Sequence, residues 1–157
     1  MFDAQDKNAW ALLPLRLIVG FGFAAHGYAK LSKGVDGFAE ILQTIGVPAP
    51  VLIAWATTLV EIIGGLAILA GAFVPLVSIP LIVVMLAAML TVHLPFGFSS
   101  VKLVAMTADG ARFGTIGYEV NLLYITCLLT LALSGASPWS VDAIRERRRK
   151  QMGRPRP

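Results

Sequence analysis

Six ionisable side chains stand inside or at the edges of apolar stretches of this 157-residue chain: Arg16, His26, Lys30, Glu61, His93 and Glu119. Histidines and carboxylates are the groups that give and take protons near neutral pH, and in hydrocarbon each must be paired, wetted or used. At about 100° per residue, Arg16, Lys30 and His26 fall in one sector of a helix, successive members about 40° apart. A single polar stripe on an apolar rod must face other rods. Glu61 lies ten residues into a second apolar run, so Arg16–Glu61 is expected as a structural ion pair, with Glu61 facing the outer histidines as the alternative. His26, Lys30, His93 and Glu119 are expected at one depth, forming a polar pocket in the outer half of the layer they cross.

Each residue also has a plain structural use. Lys30 can extend its ammonium to headgroups, and Glu119 complements the dipole at the start of its helix. His26 and His93 can be satisfied core or interfacial rings, and Cys127 reads as a small apolar filler. Met85 and Met89, at helical spacing, read as packing. These readings explain the residues singly and leave their convergence unexplained.

The elements that must position them follow from composition. The chain is 57% hydrophobic and 14% charged with a mean hydropathy of +0.76, whereas soluble domains run to about 25% charged. Disordered and collagen-like chains are excluded on the same grounds. The expected fold is an all-α membrane protein, an antiparallel bundle of four transmembrane helices at about 10–31, 51–71, 75–94 and 118–136, since a bilayer core needs roughly 20 apolar residues per crossing. Residues 1–9 form an N-terminal cytoplasmic arm, 10–137 the membrane domain and 138–157 a basic cytoplasmic tail. The second and third helices, separated by Ala72, Phe73 and Val74, must form a hairpin. A short amphipathic helix is expected around Gly37–Ile45, and the Gly-rich connection 96–117 carries Lys102, Asp109 and Arg112.

Formal charge is +4, but the tail alone holds seven basic side chains (Arg145, Arg147, Arg148, Arg149, Lys150, Arg154 and Arg156) against Asp142 and Glu146. A basic tail on a neutral apolar body points to anionic lipid or a docking partner, not to nucleic acid. The Lys/Arg bias puts both termini in the cytoplasm. Asp3 and Asp6 and the long apolar run argue against a cleaved signal peptide. Small residues four apart (Gly20 and Ala24, Ala67 and Gly71) and the Gly64-Gly65 pair mark helix contacts. They leave open whether the chain forms a homo-oligomer.

The run Leu15–Gly20 through His26-Gly27-Tyr28-Ala29-Lys30-Leu31 resembles the first helix of DoxX-type membrane proteins. Glu61-Ile62-Ile63-Gly64-Gly65-Leu66 is similar to that family's second-helix signature, and His93 and Gly117–Leu122 continue the likeness over roughly residues 10–136. The resemblance implies a multi-pass inner-membrane protein like the small subunits of thiosulfate:quinone oxidoreductases and terminal quinol oxidases, working with a partner redox subunit. Whether this chain is itself an enzyme stays open.

On that footing the pocket suits a quinone. The catalytic candidates are His26, His93, Glu61 and Glu119, as proton donors and relays. The cofactor-binding candidates are His26, Lys30, Tyr28, His93 and Asn121, with Tyr28, Phe96 and Phe98 available to stack on the ring. The alternatives are a non-catalytic anchor or assembly subunit and a proton or small-solute pathway. The weakest reading is haem b between His26 and His93, resting on two histidines alone. Cys127 has no partner for thiol–quinone exchange, and no set of side chains suits a metal.

Overall fold

A computed structural model describes residues 4–134 and 137–152. Asp3, the last two positions of the expected fourth span (135 and 136), Arg154 and Arg156 lie outside the described residues. The elements run α1 Ala4–Lys33, α2 Val35–Thr44, α3 Pro50–Ala70, α4 Val74–Ala88, β1 Leu103–Thr107, β2 Gly110–Phe113, α5 Glu119–Leu133 and α6 Val141–Met152.

The long helices are apolar over most of their surface. With no helix-length stretch of polar residues to stop them, they end at glycine and proline. Gly34, at φ +91°, breaks α1 from α2, and Gly71, at φ +64°, closes α3. Both angles suit a residue without Cβ. Pro50 opens α3 at a position where its missing N–H costs nothing. Beyond α4 the helix widens into a π-helical stretch, Met89–His93, and then tightens to a 3-10 turn, Leu94–Phe96. Pro95 explains the change: it has no N–H to offer the Thr91 carbonyl, and its ring crowds that oxygen.

Among the described residues three helical stretches are long and apolar enough to cross a membrane: Trp10–Lys33, Pro50–Ala70 and Val74–Phe96. The fourth expected span is shorter. Helix α5 has 15 residues, about 22 Å at 1.5 Å per residue, against a hydrocarbon core of about 30 Å. Helices α1, α3, α4 and α5 pack in a ring, each against the next and α5 back onto α1. Their shared core is Val19, Phe23, Ile68, Leu81, Leu128 and Leu131. The outward faces stay apolar, with Ile18 and Phe21 on α1, Ile63 on α3, Ile79 on α4 and Leu123 on α5 exposed. In water such a surface would aggregate; in a bilayer it is the solvent-matched face.

The tightest packing is between α1 and α3. A Cβ on Gly65 would lie 2.5 Å from the Ala24 nitrogen, and one on Gly20 would lie 2.7 Å from the Leu69 nitrogen. The two backbones therefore touch, and this contact fixes their antiparallel register. Helix α2, the expected amphipathic segment, buries Val35, Ala39 and Leu42 against Ala54 of α3.

An all-helical chain was expected, and the connection before α5 departs from it. Leu103–Thr107 and Gly110–Phe113 form an antiparallel hairpin that is exposed on every residue. Asp109-Gly110 between two β-prone runs is the local signal, and Gly110 at φ +118° makes the turn.

Candidate functional site

The α1–α3 register decides which charges meet. Gly27 lies against Thr58 and Ile62, and Gly20 lies against Gly65 and Leu69, so the end of α1 nearest Gly34 reaches Glu61. Lys30 Nζ donates to Glu61 Oε2, an ion pair with side chains 22% and 3% exposed. The ammonium also sits 4.7 Å from the centre of the Phe38 ring on α2, a cation–π contact on its second side. Glu61 is thus sealed between helices, while Lys30 keeps one route outward. A lone charge at this depth would be expensive, and pairing with an aromatic flank is what makes it tolerable.

The expected Arg16–Glu61 pair is therefore corrected: the same register carries Arg16 past Glu61 to the far end of α3, where its Nη1 lies against Gly71. There the guanidinium, 4% exposed, donates to Ser137 Oγ at 2.6 Å, to Pro138 O at 3.3 Å and to Trp139 O at 3.5 Å. It sits beyond the C-terminus of α5, where carbonyl oxygens and the helix dipole favour a cation. Its Nε is buried with no hydrogen-bond partner among the described residues.

His26 is on the open surface of α1, one helical turn before Lys30. Its ring meets Tyr124 of α5 edge to face, with centroids 6.5 Å apart, and Tyr124 also meets Phe23 at 5.1 Å. Gly22 makes the contact possible, since a Cβ there would overlap the Tyr124 hydroxyl. Tyr28 is exposed and takes no part in these ring contacts.

The remaining candidates form a second group between α4, the connecting segment and α5. His93 Nδ1 donates to Ile116 O at 3.1 Å, the carbonyl fixing which nitrogen carries hydrogen and leaving Nε2 as acceptor in the neutral ring. Glu119 Oε2 accepts from Ser100 N at 2.9 Å. Asn121 is buried and its Nδ2 donates to Met85 O at 3.3 Å. Phe98 meets Tyr118 edge to face at 5.6 Å, and Phe96 is exposed. Among the described residues no hydrogen bond or ion pair joins this group to Lys30, Glu61 or His26. Nor do the described residues gather three or more metal-ligating side chains. A cavity of about 290 Å³ lies at the hairpin turn, lined by Thr107, Asp109, Gly110, Ala111 and Arg112, elements apart from either group.

Three contacts that shape these groups and their surroundings escape sequence reasoning. Tyr124 is a lone polar ring within an apolar run. Phe38 is visible only as an apolar residue of α2. Asp142 looked like part of a charge run, but its carboxylate accepts from Phe73 N at 2.9 Å and Val74 N at 3.1 Å, capping α4 across the chain. Asp142→Ala should cost about 1–2 kcal/mol, as lost helix caps do. Hydrogen exchange at the Phe73 and Val74 amides should rise with it; unchanged protection there would count against the cap.

The DoxX family model matches residues 11–94, just over half the chain, and so covers His26, Lys30, Glu61 and His93. The chain is 28% identical over 136 residues to "Uncharacterized membrane protein Rv3486" of Mycobacterium tuberculosis, covering 84% of this chain and 79% of that protein. It is 30% identical over 86 residues to "Putative oxidoreductase CatD" of Bacillus subtilis, covering 55% of this chain and 62% of that protein. No solved structure matches.

Proposed function

Because the chain belongs to the DoxX family of membrane proteins, we propose that it is an inner-membrane subunit of a redox system and holds a lipid-soluble quinone against the α1–α5 face. It crosses the membrane four times, α5 as the short fourth span, with both termini cytoplasmic. The electrons come from a partner redox enzyme. The name of the Bacillus relative, with 62% of that protein aligned, supports a redox setting.

One observation carries the reading. His26 lies on the outside of the bundle, edge-on to Tyr124, one turn from an ammonium bound to a sealed carboxylate. A quinone arrives through the lipid, so a proton donor that faces lipid is where it is needed. Reduction to quinol takes two electrons from the partner and two protons, one on each carbonyl oxygen. His26 donates a hydrogen bond and then a proton to one oxygen, and Tyr124 offers a ring edge to the quinone. Water at the membrane surface returns the proton to His26 and protonates the second oxygen, while Lys30 keeps its proton and, paired with Glu61, places a fixed positive charge one turn from the site. His93, Glu119 and Asn121 hold the α4–α5 end together, leaving proton delivery to α1.

A non-catalytic anchor is the second reading, favoured by Glu119, Asn121 and Arg16 all having partners inside the chain. Purified protein separates the two. The quinone reading expects quinone to be retained by the wild type and to fall about tenfold in His26→Ala, the equivalent of one hydrogen bond of about 1.4 kcal/mol. An anchor would carry no quinone in either form.

A further inference from the structure

Among the described residues, helix α6 is fastened only at its start. Ser140 Oγ accepts from Ala143 N at 3.1 Å, capping the first turn, and Asp142 N donates to Gly71 O at 3.0 Å while its carboxylate caps α4. The start of α6 is thus bolted to the α3–α4 turn, at the end of two apolar helices long enough to cross a membrane. That turn lies at headgroup depth. Aromatic rings cluster at the same level: Trp139, 80% exposed, meets Trp10 edge to face at 5.3 Å, and the half-exposed Phe73 ring carries the Arg145 guanidinium 4.2 Å from its centre. Amphipathic rings of this kind are enriched where membrane meets water.

Beyond the first turn every residue of α6 is exposed, including Arg147, Arg148, Arg149 and Lys150. Glu146 is occupied by Lys150 at 2.7 Å, and that hydrogen bond holds its carboxyl below the usual carboxylate range. Asp142 is spent on the cap. Among the described residues the helix therefore offers basic side chains with no free acid beside them, and Val141 and Ile144, three apart, remain exposed next to Trp139. Water rewards the charges but not the apolar residues, whereas an anionic membrane surface rewards both. At 12 residues, α6 is about 18 Å long, within about two Debye lengths of the surface even standing upright.

We propose that α6 is an interfacial arm that binds anionic lipid headgroups through Arg145, Arg147, Arg148 and Arg149, with Trp139, Val141 and Ile144 seated in the headgroup layer. The assignment goes beyond the redox reading and stands without it.

The test uses the full chain with a nitroxide at Gln151→Cys, in a Cys127→Ala background, in nanodiscs of pure phosphatidylcholine or of phosphatidylcholine mixed with phosphatidylglycerol. Accessibility of the label to a water-soluble nickel complex should fall about fivefold or more in the anionic discs, the equivalent of at least one basic residue engaged at the surface. The fall should disappear when Arg147, Arg148, Arg149 and Lys150 are all changed to Gln, and at about 1 M salt, where the Debye length is only about 3 Å. All four are exposed, so folding is preserved, and unchanged thermal unfolding verifies that. Equal accessibility in both discs would make α6 a solvent arm for a protein partner and overturn the proposal; so would a fall that survives the charge removal.

Discussion

Glu61→Leu will destabilise the bundle by about 3 kcal/mol, and Lys30→Met in the same chain will recover most of the loss. Glu61 is almost sealed, so its carboxylate depends on the Lys30 ammonium, the only one that reaches it among the described residues. Removing the carboxylate leaves a cation that still has Phe38 beside it and a route outward, which places this variant at the low end of the range for broken buried pairs. Removing Lys30 alone leaves the sealed anion and should cost more, about 3–5 kcal/mol. With both gone the site is apolar and of similar volume, and stability should return to within about 1 kcal/mol of wild type. Equilibrium unfolding in mixed micelles supplies the double-mutant cycle. Simple addition of the two single losses would mean that the pair does not exist in the folded protein.

Gly65→Ala will cost about 3 kcal/mol or more, although it adds one methyl group. The new carbon would meet the Ala24 nitrogen at 2.5 Å and the Gly20 oxygen at 2.8 Å. Both are backbone atoms, so no side chain can turn aside and α1 itself must move. Because the same interface carries Lys30 to Glu61, the substitution should also loosen the ion pair. Gly37 in α2 is the internal control. It has open space around it, and Gly37→Ala should stabilise by about 0.5–1 kcal/mol through helix propensity. Equal effects of the two substitutions in the same unfolding measurement would remove the close α1–α3 contact from the account.

What could be read from the sequence was what depends on a single helix. The three long crossings follow from apolar run length, α2 from its local pattern, and the α3–α4 hairpin from the shortness of Ala72-Phe73-Val74. Gly20 and Ala24 were marked as a contact stripe, and the structure places both against Gly65. The partner of Glu61 could not be read, because spacing along α1 fixes which residues share a face but not how far α1 slides along α3. That slide is set by glycine notches of two helices meshing, a contact between residues more than forty positions apart. Tyr124 is illegible for the same reason: Gly22 is what admits it, and Gly22 is on another helix. The β-hairpin does have a local signal, Asp109-Gly110 between two β-prone runs, set within a connection whose glycines otherwise mark it as irregular.

The polar side chains were expected to gather in one outer pocket. In the structure, Lys30 and Glu61 are bonded to each other, and His26 is one turn away facing outward. His93 and Glu119 secure the segment that leads into α5. This distribution narrows the quinone proposal to the α1–α5 face and makes it testable by position. Photolysis of the membrane-embedded protein with an azido-quinone, followed by peptide mapping, is the most direct measurement. The account predicts cross-links around His26 in α1 and around Tyr124 in α5, both suppressed by excess unlabelled quinone. Cross-links confined to other segments, or labelling that excess quinone does not suppress, would contradict it.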